Sequence, residues 1–145
     1  MGVAADWAQP VEMLLIQGGA IENLSAREFD ALRCRSTSIG EDYVARLATE
    51  LDAHLERVRG ALRQNEFLNL PLAERIADVL RWLIGGYQDL SGNQARMWVV
   101  GATRVFLETH DVLDDLSSPI GFDDDARILN AVLRDIGRED LLIDF

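Results

Sequence analysis

Lysine is missing altogether, and all 14 basic residues of the chain are arginine. GC-rich codon usage produces such a bias, and it carries no mechanism by itself. Cysteine is nearly missing. The single Cys34 has no second thiol for an intramolecular disulfide and no Cys or His at metal-finger spacing, so the expected home is a reducing one, the cytoplasm. Within "ALRCRST" it reads as a buried or half-buried structural thiol on a helix. Only three prolines interrupt the chain. Long uncharged apolar runs are absent as well. Arg81, Arg96 and Arg104 break up "VLRWLIGGY" and "MWVVGATRVFL", which therefore read as core helices rather than membrane spans of ~18 residues or more. The first twenty residues have no basic region ahead of their apolar stretch and carry Asp6 and Glu12, a poor secretory signal. Asp6 also stands where a myristoylation motif requires Ser or Thr.

Enzyme signatures are missing too. There is no phosphate-cradling glycine loop, no Gly-x-Ser-x-Gly elbow and no HExxH; the doublets in "QGGA" and "IGGY" lack the flanking pattern and read as helix breaks. What the chain has instead is acid. A formal charge of −11 opposes binding to nucleic-acid phosphates and anionic lipid, and favours cations or a basic protein partner. Its 145 residues, 48% of them hydrophobic, fit one domain (1–145) with enough apolar surface to fold without a staple.

Apolar residues recur at spacings of three and four almost throughout, with no strand-like alternation, so the expected fold is an all-α bundle of about five to six helices. Ser25 and Glu28 form a capping box that starts a helix near Ala26, running to about Arg35. Val44, Ala48, Leu51, Leu55, Val58 and Leu62 stripe a long amphipathic helix over 41–64. That stripe reads as an intramolecular seam, with a homodimer interface through part of it as the other use. Pro71 suits the first turn of the next helix, which Gly85 and Gly86 end. Ser91 and Gln94 read as a second capping box before a buried helix reaching about Asp115, in which Gly101 marks close packing. Asp123 is the expected cap of a last helix ending at Gly137.

Six aspartates crowd "HDVLDDLSSPIGFDDDARIL", residues 110–129. If the helix reaches Asp115, Asp111, Asp114 and Asp115 share a face, and such neighbours raise one another's pKa unless a cation or an arginine intervenes. Pro119 and Gly121 favour a tight turn that folds this cluster towards Asp123, Asp124 and Asp125. The gathered oxygens would suit Mg²⁺ or Ca²⁺, although the spacing is not that of an EF-hand. His110 reads as an ion-pair partner beside these acids, and His54, off the apolar stripe, as solvated.

Residues 109–126, "THDVLDDLSSPIGFDDDA", resemble the YkvA-like family, a bacterial domain of unknown function with the motif P-x-D-L-I-P-D-x-x-P-x-x-G-x-x-D-D-A. Asp111 and Asp115 fall on the two motif aspartates, Val112 and Leu113 on the apolar pair, Gly121 on the glycine, and Asp124, Asp125 and Ala126 on the closing triplet. Thr109, Asp114 and Ser118 replace the motif's prolines, and Pro119 is displaced by one position. The resemblance covers about 70–135 as a core and leaves the helices of 1–65 unaccounted for. It implies a small helical domain, sometimes membrane-associated, with no established catalytic activity, and it singles out Asp111, Asp115, Asp124 and Asp125 as a set, with Asp114 and Asp123 as extras of this chain; those four are the candidate ligands of the metal reading above. The expected function is a soluble, acidic, non-enzymatic module acting through protein–protein contact, with an inhibitory or regulatory role as its use. The alternatives are a metal-dependent hydrolase built on those aspartates and a peripheral membrane module.

Overall fold

The computed structural model describes residues 24–62, 69–108 and 122–145. Among them the chain forms five α-helices, α1 (Ala26–Arg35), α2 (Glu41–Leu62), α3 (Leu70–Gly85), α4 (Asn93–Leu107) and α5 (Asp123–Asp135). Short 3₁₀ turns follow α3 at Tyr87–Asp89 and α5 at Glu139–Leu141. No described residue is in a strand, so the all-α bundle stands. No helix among the described residues is long and apolar enough to cross a membrane.

Local chemistry explains most helix ends. Ser25 Oγ accepts from the Glu28 amide and Glu28 Oε1 accepts from the Ser25 amide, each at 3.0 Å, closing the expected capping box. Asn69 Oδ1 accepts from the Leu72 amide at 3.2 Å at the start of α3, with Pro71 in its first turn and Gly86 at its end. Past α5, Arg138 N–H reaches the Leu133 carbonyl at 2.8 Å and Gly137 N–H the Arg134 carbonyl at 3.3 Å, with Gly137 at φ +76°. This paired closure is a Schellman motif, which favours glycine at the left-handed position.

Three boundaries differ from expectation. The cap of α4 is Gly92 at φ +136°, with no side-chain hydrogen bond, so Ser91 and Gln94 make no capping box. Phe122 precedes α5 and is buried, placing Asp123 inside the helix as its first residue rather than as its cap. The helix expected to reach Asp115 ends at Leu107, where Glu108 turns extended (φ −65°, ψ 135°). Arg35 Nε lies 3.3 Å from the Glu108 carboxylate, so that extended turn is tied back to α1. Pro119, Gly121, His110, Asp111, Asp114 and Asp115 lie outside the described residues.

The core is built around α4. Ten of its 15 residues are buried, more than one amphipathic face supplies, and it packs against α1, α2, α3 and α5. The seam of α2 is centred on Leu47, Leu51, His54, Leu55 and Val58, all buried within the chain, with Val44 and Ala48 at its edge. The tail folds back onto α5. The buried Asn130 amide donates to the Ile143 carbonyl at 2.9 Å and accepts from its amide at 2.8 Å, an antiparallel-like clamp that the sequence pattern does not announce.

The tightest approach is between α1 and α4. A Cβ on Gly101 would stand 2.1 Å from Ser36 Oγ, 2.9 Å from the Leu32 carbonyl oxygen and 3.0 Å from Leu32 Cδ1. Ser36 is itself held, its hydroxyl donating to that same carbonyl at 2.8 Å. Gly101→Ala should therefore destabilise the protein by ~1–3 kcal/mol in urea unfolding, because backbone must move. Gly60→Ala, in α2 with open space around it, should instead gain ~0.5–1 kcal/mol. An unchanged unfolding midpoint for Gly101→Ala would contradict the crossing.

Candidate functional site

Of the four motif aspartates, the described residues include Asp124 and Asp125, both in the first turn of α5. Asp125 is buried at 6% exposure. Asp124 is exposed and ion-paired through Oδ1 to Arg127 one turn later. The same guanidinium donates through Nε to Glu28 Oε2 at 2.8 Å, so one arginine bridges the first turns of α1 and α5. Burial pushes the Glu28 carboxyl up, but hydrogen bonds from Ser25 and Arg127 outweigh it and hold Glu28 below its ordinary value. Burial and the neighbouring Glu28 carboxylate push Asp124 up, against the pull of Arg127.

This arrangement is a clamp between two helix starts. The Asp124 carboxylate is engaged by the Arg127 guanidinium, and among the described residues no three His, Cys, Asp or Glu side chains gather closely enough to hold a metal ion. The two remaining members of the expected set, Asp111 and Asp115, are outside the described residues.

Two expectations are corrected at single residues. Cys34 is exposed rather than buried, because α1 turns Glu28, Leu32 and the following Ser36 inward, a face Cys34 does not share. His54 is fully buried at 0% exposure rather than solvated. Its ring packs edge-on against Phe106, centroids 4.6 Å apart at 72°. Arg57 lies 3.5 Å from Nδ1, and Nε2 is buried without a hydrogen-bond partner among the described residues. Burial, with a smaller contribution from the Arg57 charge, lowers its pKa from 6.5 to about 4. The imidazole is thus neutral at pH 7, a core side chain in the α2–α4 seam.

A lowered histidine pKa favours folding while the ring stays neutral. The contribution is complete above the unfolded-state value near 6.5 and is lost as pH falls towards about 4. Denaturant titrations should show the wild type losing about 3 kcal/mol more than His54→Leu between pH 7 and pH 4, since each pKa unit is ~1.4 kcal/mol. Parallel pH profiles for the two proteins would contradict the buried neutral histidine.

A separate concavity lies at the C-terminal end of α3. It is a cleft of about 560 Å³ lined by Asp78, Arg81, Trp82, Leu83, Gly85, Gly86, Asp89, Leu90 and Arg138. Asp78, Arg81, Trp82 and Gly85 recur at i, i+3, i+4 and i+7 on the outward face of α3, opposite its buried face of Leu72, Ala73, Ile76, Leu80 and Leu83. Gly85 and Gly86 leave the floor without side chains. The turn that forms the far wall is fixed by Arg96, which donates to the carbonyls of Tyr87 at 3.1 Å, Gln88 at 3.1 Å and Leu90 at 3.5 Å.

The third wall comes from the Schellman turn after α5. Arg138 lies over the Trp82 ring, 4.3 Å from its centroid. Its guanidinium is engaged by both oxygens of Asp140, at 2.9 and 2.8 Å. Arg81 is ion-paired with Asp52 of α2. Trp82 nevertheless remains 58% exposed, unusual for so large an apolar side chain. Sequence reasoning passed over it, although its place between Arg81 and the buried Leu83, on the polar face of an otherwise clean stripe, was a usable signal. Comparison of the chain with protein-family models, curated proteins and solved structures finds no match.

Proposed function

We propose that this chain is a small, non-enzymatic cytoplasmic module that acts by binding a basic protein partner, in an inhibitory or neutralising role. The observation that carries the reading is how the charges are distributed between the interior contacts and the surface. Many of the arginines are engaged by their own chain: Arg96 and Arg104 hold carbonyls of neighbouring turns, and Arg59, Arg81, Arg127 and Arg138 are paired with carboxylates, while Arg27, Arg46, Arg57, Arg75 and Arg134 are exposed. Carboxylates outnumber arginines outside, as along α2, where Glu50, Asp52 and Glu56 are exposed but ion-paired to Arg46, Arg81 and Arg59, and the exposed Glu41 and Asp42 form no ion pair with a described residue. A surface of one sign raises the association rate and selectivity for a partner of the other sign.

The test is to purify the tagged full chain from its source cells, identify what is retained, and titrate the purified pair by calorimetry across a range of salt. The reading predicts a partner rich in Lys and Arg whose affinity weakens as salt rises. Retention of no partner, or of one whose affinity is indifferent to salt, would overturn it.

A further inference from the structure

We infer that the Trp82 cleft is the point at which an arginine side chain of that basic partner docks. The inference rests on the binding role proposed above and adds a place and a chemistry to it. Both cleft arginines are already neutralised, Arg81 by Asp52 and Arg138 by Asp140. Asp78 and Asp89, both exposed in the lining, form no ion pair with any described residue. The cleft therefore carries two uncompensated carboxylates beside an aromatic wall.

That combination suits a guanidinium better than an ammonium. A planar cation can stack on indole while presenting a fork of N–H donors to carboxylate oxygens, and its apolar stem can lie along Trp82 and Leu90. The protein already shows the compatibility, because Arg138 lies over this indole and still leaves more than half of Trp82 open. An exposed tryptophan beside a recess is also the residue type that most often anchors protein interfaces. The volume is within the ~300–1,000 Å³ of clefts that hold ligands. The walls are fixed before binding, by the three carbonyl contacts of Arg96 on one side and the turn at Gly137 on the other, which lowers the ordering cost of docking.

Two measurements test this. In the first, the ¹⁵N-labelled full chain is titrated with a blocked arginine-centred pentapeptide, its lysine and citrulline counterparts, and arginine amide alone. The Trp82 indole N–H and the amides of Gly85, Gly86 and Asp89 should shift with the arginine peptide, while the buried Trp98 indole stays still. Citrulline, the same shape without charge, should bind about tenfold more weakly. Equal binding of the citrulline peptide, or shifts confined to the face of α2, would overturn the inference. Arginine amide binding as tightly as the peptide would also overturn it, in favour of a small-cation pocket.

In the second, the purified partner is titrated against Trp82→Leu, the Asp78→Asn/Asp89→Asn double variant, and Glu41→Gln/Asp42→Asn as a remote charge control, each checked for an unchanged melting midpoint. The two cleft variants should each lose about tenfold or more in affinity, beyond the loss in the control. Full affinity in both would remove the cleft inference while leaving the basic-partner reading intact. Absence of any basic partner would remove that reading itself.

Discussion

The close crossing of α1 over α4 at Gly101 sets the rest of the bundle. Ser36 Oγ, the Leu32 carbonyl and Leu32 Cδ1 occupy the space that any side chain at position 101 would need, so α1 packs directly against the backbone of α4. Ser36 can lie in this dry contact because its hydroxyl is satisfied within α1. Held there, α4 becomes the axis on which α2, α3 and α5 also pack. The capping box extends the same contact outward, since Glu28 serves both the start of α1 and, through Arg127, the start of α5.

Arginine chemistry divides the molecule into an inside and an outside. A guanidinium offers several donors in a fixed fork, and here it repeatedly closes places where the chain turns. Arg104 reaches the Arg35 carbonyl at the end of α1, Arg96 gathers three carbonyls after α3, and Arg138 joins the tail to Trp82 and Asp140. These exposed or half-exposed pairs add little stability individually. Their larger effect is on the surface field. With many guanidiniums engaged by their own chain and a net charge of −11, carboxylates are in surplus, and the cleft at the end of α3 keeps Asp78 and Asp89 without an ion pair to any described residue.

Features set by neighbours in sequence were legible in advance, and those set by neighbours in space were not. The Ser25–Glu28 box, the first-turn Pro71, the break at Gly85 and Gly86 and the stop at Gly137 each depend on a few adjacent residues, and each stands where expected. The long amphipathic helix was legible for the same reason, but its buried stripe is rotated towards Leu47 and His54. Two stripes with the same period run along α2, and only the packing of Phe106 selects between them. Ser91 and Asp123 show the opposite error, because a capping residue type is not a cap when Gly92 or the buried Phe122 takes that position. The aspartates drew attention as a local cluster, whereas the cleft is assembled from α3, its following turn and Arg138, far along the chain beyond α5, which no local pattern encodes.

If the crossing anchors the fold, the molecule has a rigid frame behind an open cleft. Native-state hydrogen exchange followed residue by residue tests this most directly. The account predicts that amides in the middle of α4 and in the second half of α1 exchange together, at the free energy of global unfolding, while those of the turn after α3 exchange more readily. Exchange of α1 through a local opening well below the global value, with α4 still protected, would contradict it.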